Sequence, residues 1–131
     1  MAVSWRIKDG LVWLQSEGEW SRAEWRVAVD GFLADPEFRP GMGLIHDRRR
    51  LLLPEKGLFE VKAEADFLRE RTARIGKARW AAVVRDPESY GLGRMLQTLL
   101  SDTDVSLRVF YDPAEAEAWV YGSAPPEGGD R

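Results

Sequence analysis

The chain contains no cysteine. Disulfides, thiolate nucleophiles and thiolate metal sites are thereby excluded, and the composition suits a reducing compartment. Histidine is almost absent: His46 is the sole one, and no Glu-x-x-His metal motif occurs. No apolar run approaches the roughly 20 residues that span a bilayer. Neither sign of charge dominates. Nineteen basic and 22 acidic residues are interspersed, with a formal net charge of −3, so the dense basic footprint of a nucleic-acid binder is missing. The opening MAVSWRIKDG places charge where a signal peptide needs an apolar core. The chain is expected to be cytoplasmic, with no membrane span and no nucleic-acid partner. Gly91-x-Gly93 lacks the third glycine of a dinucleotide fingerprint, so no cofactor is expected there.

What is present is a repeated grammar of strand then helix. Its clearest instance is Val105–Val120. Val105, Leu107, Val109 and Tyr111 alternate with Ser106, Arg108 and Phe110 at the period of a strand. Asp112 follows as an N-cap, Pro113 stands at the first helical position, and Glu115 comes three residues after the cap. At the other end, Val3, Trp5 and Ile7 alternate up to Asp9-Gly10, a two-residue hairpin signal. The returning strand, Leu11–Glu17, shares one face with Trp5 and Ile7 through Val12 and Leu14, and sends Leu11 and Trp13 to the other.

Ser21 and Glu24 form a capping box before Trp25, Ala28, Val29, Phe32 and Leu33, which recur at helical spacing. Met42–Ile45 reads as a buried strand ending near Asp47, followed by a loop, HDRRRLLLPEKG. A second helix is expected over Leu58–Ala73, stopped by Gly76. Ala78–Arg85 is a strand and Glu88–Leu100 a third helix. The order is ββαβαβαβα. With 131 residues, this describes one α/β domain over 1–121, a five-stranded mixed sheet with four helices, and a loose Gly/Pro-rich tail over 122–131.

The Asp9-Gly10 hairpin, the strand ending at Asp47, ARWAAVVRD (Ala78–Asp86) and the closing VFYDPAEAEAW (Val109–Trp119) resemble the STAS domain of anti-sigma-factor antagonists. They are similar also to the STAS-like bacterial proteins grouped with SEC14-like (CRAL-TRIO) lipid carriers. The similarity runs from Ile7 to Val120 and rests on apolar patterning. It implies a (βα) superhelix and a protein-interaction role. In the antagonists, a phosphorylatable Ser lies two residues beyond an Asp in the loop after the third strand. Asp47 matches that Asp, and the Ser position is Arg49. No Ser or Thr lies between Ser21 and Thr72, so the resemblance does not carry the phosphorylation switch across. It leaves that loop as a docking surface.

Candidate sites follow from the same residues. His46 and Asp47 are neighbours, as a general base and its orienter can be. On a strand, however, they point to opposite faces, no nucleophile accompanies them, and a solvated strand end is the plainer reading. Arg48, Arg49 and Arg50 could bind an anion or acidic partner through guanidinium forks at a strand's carboxyl end. Leu51, Leu52 and Leu53 either pack over a helix or offer an apolar contact. Trp13 and Phe110 belong to the face opposite Trp5, and with Trp80 they would form a surface for self-association or a partner, or else lie beneath a second layer of helix. Glu60, Glu64, Asp66 and Glu70 read as a solvated helix face. The expected function is a non-enzymatic STAS-like interaction module acting through the sheet face or the Asp47–Gly57 loop. Two other readings stand beside it: a carrier or sensor of a small amphipathic or anionic ligand, and an enzyme with an unrecognised site.

Overall fold

The structure, a computed structural model, describes residues 3–52 and 57–122. Leu53, Pro54 and tail residues 123–131 lie outside the described residues. Among the described residues the strands are β1 (Val3–Lys8), β2 (Leu11–Glu19), β3 (Gly43–Leu52), β4 (Ala78–Val83) and β5 (Val105–Phe110). The helices are α1 (Arg22–Ala34), α2 (Gly57–Arg69), α3 (Thr72–Ile75), α4 (Pro87–Leu99) and α5 (Pro113–Val120). The sheet order is β1-β2-β3-β4-β5, with β1 antiparallel to β2 and every other neighbour parallel. This is the expected five-stranded mixed sheet.

The hairpin register follows from its turn. Asp9 and Gly10 both have positive φ, 55° and 78°, the conformation of a two-residue turn that matches strand twist. Trp5 then pairs with Leu14 and Ile7 with Val12, as the alternation predicts. The helix starts also form where the capping residues stand. Ser21 Oγ accepts the Glu24 N–H, Asp86 the Ser89 N–H and Asp112 the Ala114 N–H, at 3.2, 2.8 and 2.9 Å, which satisfies donors that a helix start leaves open.

Two expected boundaries move. The expected second helix is two helices, α2 and α3. The chain turns at Glu70–Arg71, where Arg71 N–H bonds the Leu68 carbonyl at 2.9 Å and its guanidinium takes the Phe67 carbonyl at 2.9 Å. The larger change is β3, which runs to Leu52. Asp47–Leu52 is therefore strand, not loop. The cause is β2, which extends to Glu19 and pairs Glu17, Gly18 and Glu19 with Arg50, Leu51 and Leu52. Two steps on β2, Gln15 to Glu17, face three on β3, Asp47 to Arg50. This is a β-bulge with one extra residue on β3. Asp47 Oδ1 accepts the Arg49 N–H at 3.1 Å, so the carboxylate replaces a ladder partner within the bulge.

The two faces are covered unequally. Trp25, Val29 and Phe32 of α1, Val61, Ala65 and Leu68 of α2, Leu96 of α4, and Val12, Leu14, Leu44 and Trp80 of the sheet form the main core. On the opposite face, α5 packs on β3, β4 and β5. There Leu11, Ile45, Ala81, Val83, Phe110, Ala116 and Val120 form a smaller cluster, with Trp13 and Trp119 against it. We call these the inner and outer faces. Each strand's alternation decides which residues serve which.

Candidate functional site

The chemistry-bearing residues collect on β3, and the strand's alternation divides them. His46 and Arg48 enter the inner face, while Asp47 and Arg49 stand on the outer face. The neighbour pair His46-Asp47 is thus split, as strand geometry requires.

The inner set is a buried polar cluster. His46 is 6% exposed, Ser16 is fully covered, and Ser16 Oγ shares a hydrogen bond with His46 Nε2 at 2.7 Å. Arg48 reaches Glu64 of α2 at 3.6 Å, and its guanidinium lies 5.1 Å from the Trp20 ring centroid. Glu64 is 3% exposed. Burial holds the His46 imidazole well below its ordinary range, and the Arg48 charge adds to this. Burial raises the Glu64 carboxyl, with Arg48 opposing. Glu60, one turn earlier, accepts from Trp20 Nε1 at 2.7 Å and from Arg22 at 2.5 Å. The Arg22 contacts, followed by the Trp20 bond, hold its carboxyl low against burial.

Three expectations change here. His46 is not at a solvated strand end, because β3 continues six residues beyond it. Glu64 is not on a solvated helix face, because that face of α2 rests on Arg48 and the sheet. Trp80 is not on the open face. Its parity on β4 sends it to the inner core, where its ring meets Phe32 edge-on at 5.8 Å.

Two small cavities adjoin the cluster. One, of about 20 Å³, is walled by Trp20, Arg48, Leu51 and Glu64; the other, of about 30 Å³, by His46, Arg48, Glu64 and Trp80. Such volumes admit a water molecule, not a substrate. Ser16 and His46, both buried, tie β2 to β3 by their side chains.

The outer set is different. The half of the outer face that no described helix covers, beside α5, holds an open groove of about 350 Å³. Trp13, half-buried, is among its walls, with its Nε1–H donated to the Lys8 carbonyl at 2.9 Å. Arg6, Gln15, Asp47 and Arg49 also line the groove, and Pro113 and Glu117 of α5 form one side. Arg49 binds Asp47 at 3.0 and 2.9 Å. This pairing, more than any other effect, lowers the Asp47 carboxyl below its ordinary range. Phe110 lies under α5, 8% exposed, against Trp119 at 5.7 Å.

The three consecutive arginines do not converge. Arg48 points inward to Glu64, Arg49 outward to Asp47, and Arg50 to Glu17 at 3.9 Å. Each guanidinium faces a carboxylate of the chain itself. The leucines divide in the same way: Leu51 is 7% exposed and Leu52 57%. Among the described residues no group of acidic and histidine side chains is arranged to hold a metal ion, and no helix is long and apolar enough to cross a membrane.

The sequence reading missed Ser16, Arg6 and Glu64 as site members. Ser16 had a signal. It shares parity with Val12 and Leu14, so it is a polar residue on a core face and needs a partner there.

Two solved structures resemble this architecture. One is an uncharacterized protein of the DUF3478 family with a SpoIIAA-like fold, from Shewanella loihica PV-4: 14% identity, TM-score 0.58, covering 91% of this chain and 92% of that one. The other is an anti-sigma factor antagonist from Mycobacterium paratuberculosis: 16% identity, TM-score 0.60, covering 91% and 92%. The chain therefore has a STAS-like, SpoIIAA-like fold. No protein-family model matches the sequence, and no curated protein matches it significantly.

Proposed function

We propose that this chain is a non-enzymatic, STAS-like regulatory module that binds a protein partner through the outer groove at Trp13, with the exposed Leu52 at the end of β3 as a second contact. The observation that carries the reading is a partly exposed tryptophan on the half of the sheet that no described helix covers, in a groove that Arg6, Gln15, Asp47 and Arg49 also line. An aromatic anchor within a polar rim is the usual anatomy of a protein-binding patch. The shared fold with an anti-sigma factor antagonist agrees with this reading. Arg49 stands where the resemblance puts the phosphoacceptor Ser, so the module works without that switch. The ligand-carrier reading is less well supported, because the two inner cavities beside Arg48 and Glu64 are about 20 and 30 Å³, far below the ~300 Å³ of an ordinary ligand pocket, and the wider grooves at Trp13 and along β5 are open ones.

The test is site-specific photocrosslinking in the source cells. A benzophenone side chain at position 13 is expected to capture one protein, and the same group at Lys62, exposed on α2, is not. Arg49→Glu should abolish the capture. Equal labelling from both positions, or none from position 13, sinks the reading.

A further inference from the structure

The opposite side of the molecule carries a second surface, independent of the Trp13 groove. β5 ends the sheet. The Asp104 carbonyl accepts from Ala78 N–H at 3.3 Å and the Phe110 carbonyl from Val84 N–H at 2.9 Å. Even-numbered positions of β5 therefore turn their backbone groups toward β4, and Leu107 and Val109 turn theirs outward. Among the described residues, nothing hydrogen-bonds to those outward groups. At the Val105 end the edge is closed by Thr103, whose Oγ1 takes the Val105 N–H at 3.2 Å.

This edge is not bare. A groove of about 600 Å³ runs along it, walled by Tyr90, Arg94 and Gln97 of α4 on one side and by Arg108 and Trp119 on the other. α4 lies close because Gly93 has no side chain: a Cβ there would sit 2.9 Å from Val109 Cγ2. The charge is of one sign. Arg22, Arg48, Arg49, Arg50, Arg69 and Arg71 all have a carboxylate partner. Among the described residues Arg94 and Arg108 have none, as is true also of Arg6, Arg26, Arg39, Arg74, Arg79 and Arg85, and these two are the charged residues that line the groove. Arg108 instead lies over Phe110 and Trp119, at 5.3 and 6.0 Å from their ring centroids.

An exposed edge is a template for another strand. We propose that the free edge of β5 takes up an extended acidic segment of a partner protein as a sixth strand. Its backbone pairs with Leu107 and Val109, and its carboxylates meet Arg94 on one face and Arg108 on the other. A second copy of this chain fits less well, because two β5 edges would bring arginine toward arginine.

The probe is the capped peptide Glu-Thr-Val-Glu-Thr-Val, whose two glutamates fall on opposite faces of a strand, with the lysine-for-glutamate peptide as its counterpart. Each is titrated into the full chain labelled with nitrogen-15. The glutamate peptide is expected to shift β5 and α4 amides saturably and to slow exchange of the Leu107 and Val109 amides by about tenfold. The lysine peptide should do neither. Arg94→Gln with Arg108→Gln, a pair of exposed substitutions that removes the charge and keeps a polar side chain, should weaken binding by about tenfold. The proposal is overturned if both peptides act alike, if the shifts fall outside β5 and α4, if those amides exchange slowly without peptide, or if sedimentation shows a β5-dependent dimer. The Trp13 crosslink is unaffected by any of these outcomes, so the two surfaces stand or fall separately.

Discussion

Ser16 Oγ and His46 Nε2 are 2.7 Å apart inside the protein, one on β2 and one on β3. They join neighbouring strands by side chains at the bulge itself, since Ser16 lies where the register shifts. Ser16→Ala leaves the imidazole nitrogen buried without a partner, which costs about 1–3 kcal/mol. The expected result is a lower urea midpoint with an unchanged slope. Ser16→Ala with His46→Leu should lose less than the sum of the two single changes, because the second removes the group that the first orphans.

The same histidine gives a pH dependence of known sign. Burial, then the Arg48 charge, keeps His46 neutral in the fold, while in the unfolded chain it titrates near its ordinary value of 6.5. As pH falls through that value, the unfolded state gains a proton that the folded state refuses, and stability is lost. Glu64 has the opposite sense. Its carboxyl is raised by burial from an ordinary 4.5, so the unfolded state ionises first, and stability falls as pH rises above that value. Urea midpoints measured across this range should decline below about pH 6.5, and His46→Gln should flatten that limb alone. Glu64→Gln should flatten only the decline on the rising side. A His46→Gln profile parallel to the wild type would remove the histidine from the account.

These two residues also show where the sequence was legible. Local rules survived intact: the Asp9-Gly10 turn, the caps at Ser21 and Asp112, and the strand parity that puts Trp5 with Leu14 are all decided by nearest neighbours. β3 was not legible past Asp47. Three arginines in a row read as a solvated loop, because no local pattern announces that Glu17–Glu19 on a distant strand will pair with Arg50–Leu52. The bulge then hides the alternation that would have identified a strand. Trp80 was misplaced for a simpler reason: apart from Arg79, Ala78–Val83 is apolar on both faces, and one charged residue marks its parity weakly without the partner strands. Trp13 and Phe110, whose strands do alternate, lie on the predicted face, but α5 covers Phe110 there, so it is not part of an open surface.

Arg48 and Glu64 are a buried pair, 3.6 Å apart, with side chains 14% and 4% exposed. Such a pair contributes little net stability, yet losing one member leaves a charge in the core. Arg48→Ala should destabilise by about 3 kcal/mol at neutral pH, and by less in acid, where Glu64 takes up a proton. Arg48→Met with Glu64→Leu should recover most of the loss. Chemical denaturation at two pH values checks both statements. Equal loss at the two values would place the cost in packing against Trp20 instead.

Gly93 tests how closely α4 sits on β5. Alanine in a helix interior is favoured over glycine by about 1 kcal/mol. Here the added methyl would stand 2.9 Å from Val109 Cγ2 and 3.0 Å from its Cβ, and a β-branched strand residue cannot turn away. Overpacking of this kind costs about 1–3 kcal/mol, so Gly93→Ala should be net destabilising. Gly91→Ala, with nothing within 4 Å, should be stabilising. Thermal melts of the two variants should therefore move in opposite directions.

Leu51 and Leu52 test the strand itself. If Asp47–Leu52 were a loop, both leucines would have similar freedom to move. In β3 they alternate, one 7% exposed on the inner face and one 57% exposed. Their parity is fixed only after the extra residue at the bulge is counted, since a one-residue slip sends every side chain to the opposite face. Leu51→Asp buries a carboxylate beside Glu64 and Val61 and should abolish cooperative folding or cost more than about 3 kcal/mol. Leu52→Asp should stay within about 0.5 kcal/mol of the wild type. If the costs were reversed, the bulge would be misplaced by one residue. Arg48 would then leave Glu64 for the outer face, and the division of β3 into an inner structural cluster and an outer docking groove would no longer follow.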